Sequence, residues 1–168
     1  MSIAEDITPA GRKARWDRWA RKRRYLYVPL PRAPVFVSIS RGLLAPRSLR
    51  IGDPSFDRSW RVFGTPEDVV RALLTPDVRQ AIANCPGLYD VSIAKDELTL
   101  YVWYKAEESS MLALADLIAA HVETLGARAV DVEALTAMQT RLQKTYRRRL
   151  LIATAIIITV IVLMALAP

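Results

Sequence analysis

Apolar and polar residues alternate with a period of two in two neighbouring stretches, Tyr89 to Ala94 and Leu98 to Tyr104, separated by the polar turn Lys95-Asp96-Glu97. This pattern predicts a β-hairpin that buries Val91, Ile93, Leu98, Leu100 and Val102 and turns Thr99, Tyr101 and Trp103 the other way. An aromatic outer face implies a second layer of the same domain or a partner above it. Val35 to Ile39 is a β-branched run that predicts another strand, and Trp60-Arg61-Val62-Phe63 a further short one stopped by Gly64. Residues 41–57, with Gly42, Pro46, Gly52 and Pro54, read as loop with one strand near Leu49 to Ile51.

Two helix starts follow. Thr65-Pro66-Glu67-Asp68 and Thr75-Pro76-Asp77 each offer a threonine cap, a proline at the first helical position and acid in the first turn. The second helix closes at Asn84-Cys85-Pro86-Gly87, and a longer one runs from Ser109 or Ser110 to about Leu125, ended by Gly126. A last helix is expected from Val132, with Val132, Leu135, Met138 and Leu142 as a narrow apolar stripe suited to docking or self-association. The fold class is α+β: a small, mostly antiparallel sheet packed with helices, plus one C-terminal transmembrane helix.

That transmembrane helix is read from Leu150 to Ala167, which contains no charged residue and only Thr154 and Thr159 as polar side chains. Eighteen helical residues span about 27 Å, close to the ~30 Å of a hydrocarbon core. Lys144, Arg147, Arg148 and Arg149 precede the run, and positive flanks stay cytoplasmic. The expected arrangement is a single-pass anchor in a bacterial inner membrane with the body facing the cytoplasm.

Charge sharpens this picture. The formal net charge is +7, yet residues 12–24 hold eight basic side chains against one acid, while 25–143 hold twelve basic and fourteen acidic ones. The basicity therefore lies at the edges of a near-neutral body, which disfavours a nucleic-acid partner. The arm GRKARWDRWARKRRYLYVPLPRAP mixes bases with Trp16, Trp19, Tyr25 and Tyr27. Wound as a helix it would group Trp16, Trp19, Ala20 and Tyr27 near one face, with Arg12 and Arg23 at its border. Arg12, Arg15, Trp16, Trp19, Arg23 and Arg24, with Arg147, Arg148 and Arg149, are the candidate residues for anionic lipid headgroups. The domain plan that results is an arm and proline linker at 1–34, an α+β domain at 35–131, a juxtamembrane helix at 132–149 and the span at 150–167.

Candidate chemistry is sparse. No dinucleotide, P-loop, nucleophile-elbow or zincin motif occurs, and a single cysteine excludes an internal disulfide. His121, the sole histidine, falls on the apolar side of its helix and reads as a packing residue. Cys85 precedes a proline at a helix end with no neighbouring base to make a thiolate. Asp53 and Asp57 flank Phe56 beside Arg50, Arg58 and Arg61, which makes this loop the candidate ligand or partner site. No catalytic residue, cofactor or metal is expected.

Three segments carry a family resemblance: Phe56-Asp57-Arg58-Ser59-Trp60-Arg61-Val62, Ala72-Leu73-Leu74-Thr75-Pro76-Asp77-Val78 and Ala94-Lys95-Asp96-Glu97-Leu98-Thr99-Leu100. Over about residues 50–104 the chain resembles a family of uncharacterised bacterial membrane-associated domains. There a strand with a Phe-acid start precedes a Leu-Leu-Thr-Pro helix start and a polar-turned hairpin. That family supplies no catalytic residues to carry over. The expected function is a non-enzymatic adaptor or accessory subunit of a membrane protein assembly. The alternative is a cytoplasm-facing sensor of a small ligand or anionic lipid.

Overall fold

The computed structural model describes residues 2–19, 23–31, 33, 35–41, 48–94, 96–103 and 107–126. The expected juxtamembrane helix at 132–149, the span at 150–167 and Arg147, Arg148 and Arg149 lie outside the described residues. Among the described residues, no helix is long and apolar enough to cross a membrane.

The domain is α+β: a seven-stranded antiparallel sheet with four described helices. The strands are β1 (Ser2–Ile7), β2 (Lys13–Trp19), β3 (Arg23–Pro29), β4 (Phe36–Ser40), β5 (Arg61–Thr65), β6 (Leu88–Ala94) and β7 (Glu97–Trp103). The helices are α1 (Pro54–Ser59), α2 (Glu67–Leu73), α3 (Pro76–Asn84) and α4 (Glu108–Leu125). Their spatial order is β1-β2-β3-β7-β6-β4-β5. The β6–β7 hairpin thus sits in the middle, with β7 paired to β3 and β6 to β4. It joins an N-terminal meander to the β4–β5 pair.

The basic arm is therefore built of strands. Ala14 and Trp16 on β2, and Leu26 and Val28 on β3, alternate into the core, while Arg15, Tyr25 and Tyr27 are more exposed. A helical winding would have put Trp16 and Tyr27 on one face; the period of two sends them to opposite faces. Leu30, Ala33 and Val35 are buried as well, so the proline segment packs against the body. Strands on both sides of residue 34 share one sheet, and their inward residues belong to one core cluster.

All four helices contribute to that same cluster: Phe56 from α1, Val69, Val70 and Leu73 from α2, Val78 and Ile82 from α3, and Met111, Ala115, Ile118 and Val122 from α4. The α4 positions recur at three and four residues, which gives one apolar stripe facing the sheet. Gly126, with φ of +69°, ends it.

Several local expectations change. Gly64 does not stop its strand: β5 continues to Thr65, and the helix after it is capped by Pro66 without a side-chain bond. Thr75 does hold the cap position of α3, but its hydroxyl turns to His121. Within the loop expected at 41–57, α1 begins at Pro54 after the Asp53 cap and runs on to Ser59, and the strand expected near Leu49 is a single bridge to Val62.

Candidate functional site: the open face of the sheet

Because the helices pack on one face, the outward residues of the central strands form a second face that no described helix covers. Register places Asp17, Tyr25, Tyr101, Asp90, Ser40 and Arg61 in one row across β2, β3, β7, β6, β4 and β5. The adjacent row runs Arg15, Tyr27, Thr99, Ser92, Ser38 and Phe63.

The aromatic residues touch one another. Tyr25 stacks on Tyr101 with ring centroids 4.8 Å apart, and on Tyr27 at 6.1 Å. Tyr89 meets Tyr101 and Trp103 edge-on, at 5.5 and 6.2 Å. Such pairs add about 0.5–1.5 kcal/mol beyond the area they bury. Trp103 nevertheless stays 39% exposed. The guanidinium of Arg15 lies over the Tyr27 ring, 4.8 Å from its centroid.

A bulge sets the remaining chemistry. Leu88 pairs with Val102 but Asp90, two residues on, pairs with Tyr101, only one residue back. The extra residue rotates β6, so Leu88 and Val91 both point inward and Asp90 joins the open face. Its surroundings desolvate the carboxyl and push its pKa up to about 7. Across the row, Asp17 keeps one carboxylate oxygen, Oδ1, buried with no hydrogen-bond partner among the described residues.

The residues singled out from sequence are spent elsewhere. Trp16 is only 3% exposed, so its indole is unavailable to a lipid interface. Arg12 clamps Glu123 of α4 through two bonds of 2.6 and 2.9 Å, which holds the Glu123 carboxyl below its ordinary range. Arg24 pairs with Glu108 at the start of α4, at 2.5 Å. Arg15 does lie on the open face, and Trp19 and Arg23 lie at strand ends.

The 50–61 loop is likewise self-contained. Asp53 accepts bonds from the Ser55 and Phe56 amides, the Ser55 hydroxyl and Arg79, which lower its pKa to about 2. Asp57 accepts from the amides of Ile51 and Gly52. Arg61 donates to the Asp57 carbonyl, while the Arg50 carbonyl accepts from Arg71. Arg58 is exposed in the last turn of α1. These contacts fold the loop and leave its carboxylates little free capacity.

A second polar knot ties the β1–β2 turn to α4. Asp116 accepts from the Thr8 hydroxyl at 2.5 Å and the Ala10 amide at 2.7 Å, with Arg12 Nε 3.4 Å away. Asp116→Ala would leave the buried Thr8 hydroxyl without its acceptor, a cost of about 1–3 kcal/mol. Amide exchange in β1 and β2 should then rise at least about tenfold while β6–β7 stays protected. Unchanged protection in β1 and β2 would refute the anchoring role.

His121 links two helices. Its Nδ1 lies 2.9 Å from the Leu117 carbonyl, and its Nε2 lies 3.2 Å from the Thr75 hydroxyl and 3.4 Å from the Asp77 carboxylate, which Thr75 also bonds. Cys85 is buried against Met111 and its thiol pKa is raised by that burial. Among the described residues no cluster of three or more metal-ligating side chains converges. What the open face offers chemically is recognition: aromatic faces with two carboxylates among them.

No family model matches this chain, including the span over which it resembles an uncharacterised family, and no curated protein matches it in sequence. Among solved structures it is similar to the crystal structure of the mycobacterial trehalose monomycolate transport factor A, TtfA. The TM-score is 0.52 at 11% sequence identity, covering 74% of this chain and 71% of that one. At that identity the likeness is one of fold.

Proposed function

We propose that the chain is a non-enzymatic adaptor or accessory subunit of a membrane protein assembly, holding its partner on the open sheet face. The observation behind this reading is the run of five touching aromatic rings, Tyr27, Tyr25, Tyr101, Tyr89 and Trp103, on a face that no described helix covers. Tyrosine and tryptophan supply large contact area at small entropic cost, which is why they anchor interfaces. The apolar run at 150–167 supports a membrane setting, and the transport factor with a similar fold is, by its name, in keeping with an accessory role. The sensor alternative draws less support, since Asp53, Asp57, Arg12 and Arg24 already have partners within the fold.

The test is the native mass of full-length protein extracted gently from its own membrane, with co-purifying proteins identified. A stoichiometric partner is expected. The double variant Tyr25→Ala/Tyr27→Ala, checked for a native circular dichroism spectrum, should lose it. A wild-type protein without partners, or a folded variant that keeps its partner, would overturn the proposal.

A further inference from the structure

The open face is asymmetric in a way that bears on its occupant. Its central row places an acid on each side of a stacked tyrosine pair: Asp17 beside Tyr25, and Asp90 beside Tyr101. Neither acid has a salt bridge among the described residues, whereas Arg12, Arg24 and Arg79 elsewhere in the domain each hold a carboxylate. The face also shows what it accepts, because Arg15 lays its guanidinium over Tyr27 in the next row. Planar guanidinium groups stack on aromatic faces and bond carboxylates in pairs, a combination that an ammonium group does not match.

We propose that the open face is a receptor for arginine side chains of a partner polypeptide, with Asp17 and Asp90 as the two acceptors and the Tyr25–Tyr101 pair as the platform between them. This rests on the adaptor reading and names its partner's chemistry. Geometry sets the spacing. Three strand intervals of about 4.8 Å separate β2 from β6, or about 14 Å. One cation cannot serve both acids, but an extended segment with arginines four residues apart spans about 13 Å. Such a segment would lie across the strands, along the row.

A peptide of nine residues, serine except for two arginines four positions apart, is the probe. Its binding to full-length protein in detergent micelles would be followed by tyrosine and tryptophan fluorescence at physiological salt and pH 8, where the Asp90 carboxyl is ionised. Saturable binding is expected, about tenfold weaker for Asp90→Asn and for Asp17→Asn, and weaker again with lysines in place of the arginines or with the arginines adjacent. Both variants are near-isosteric, and Glu67→Gln, at an exposed acid of α2 away from this face, should bind as wild type. Binding unaffected by either substitution, no binding, or equal binding of the lysine peptide would each overturn the proposal. If the native partner co-purifies with the Asp17→Asn/Asp90→Asn variant but is lost from Tyr25→Ala/Tyr27→Ala, the adaptor reading stands and the arginine inference falls. If wild-type protein brings no partner at all, the adaptor reading itself falls.

Discussion

Asp90→Asn is expected to stabilise the domain in alkaline solution and to have a far smaller effect in acid. The folded protein holds the Asp90 proton up to about pH 7, whereas an unfolded carboxyl releases it near the ordinary value of 3.8. Stability from this group is therefore fully present below the unfolded value and is lost as pH rises through the folded one. A shift of this size corresponds to about 4 kcal/mol at ~1.4 kcal/mol per pH unit, and partial exposure of the side chain reduces it to about 2–4 kcal/mol. Asparagine does not titrate, so the difference between variant and wild type should grow by that amount between pH 4 and pH 8. Urea unfolding followed by tryptophan fluorescence across the range measures it directly. Parallel stability curves for the two proteins would show that Asp90 is not desolvated in the folded state. Acids such as Asp53 titrate alike in both proteins and cancel in the difference.

The second large effect is expected at Gly64, where space decides. A β-carbon there would stand 2.5 Å from the Phe36 carbonyl oxygen and 2.7 Å from Val70 Cγ2. The first obstacle is backbone of the paired strand, since Val37 faces Gly64 and Phe36 faces Thr65 in register. Relief requires β4 and β5 to part or α2 to lift, so Gly64→Ala should cost about 3 kcal/mol. Thermal unfolding should show a midpoint lower by about 10 °C or more. A loss under about 1 kcal/mol would mean that this corner of the sheet yields easily.

Gly64 also shows how sequence and structure diverge. A glycine after four strand-like residues reads as punctuation, because its local effect is to weaken a strand. Here it stays in the strand since β4 and α2 approach too closely for a side chain. The arm diverges for a similar reason. Its basic residues obscure a period of two that only Ala14, Trp16, Leu26 and Val28 carry, and helix and strand are close in local preference over so short a stretch. Pairing with β7, 68 to 80 residues further along the chain, decides the matter.

The candidate site was half legible. Thr99, Tyr101 and Trp103 could be assigned to an outer face from alternation alone, and the question of what covers them follows at once. Asp90 could not, since it reaches that face through a bulge that depends on how β6 meets β7. Asp17, Tyr25 and Tyr27 reach it because the arm pairs as strands with β7. Conversely, the carboxylates of the 50–61 loop looked available because sequence shows charges and not the amides that satisfy them.

Elements whose causes lie within a few residues are legible along the chain: the central hairpin from its alternation and polar turn, α3 from Thr75-Pro76, and the end of α4 from Gly126. The strand order, the place of the hairpin between two halves of the sheet, and which acids stand beside the tyrosines follow from contacts between distant segments. The difference is one of range. Turn preferences, caps and side-chain periods act between near neighbours, whereas pairing, close approach and desolvation depend on residues that meet only when distant strands are brought together.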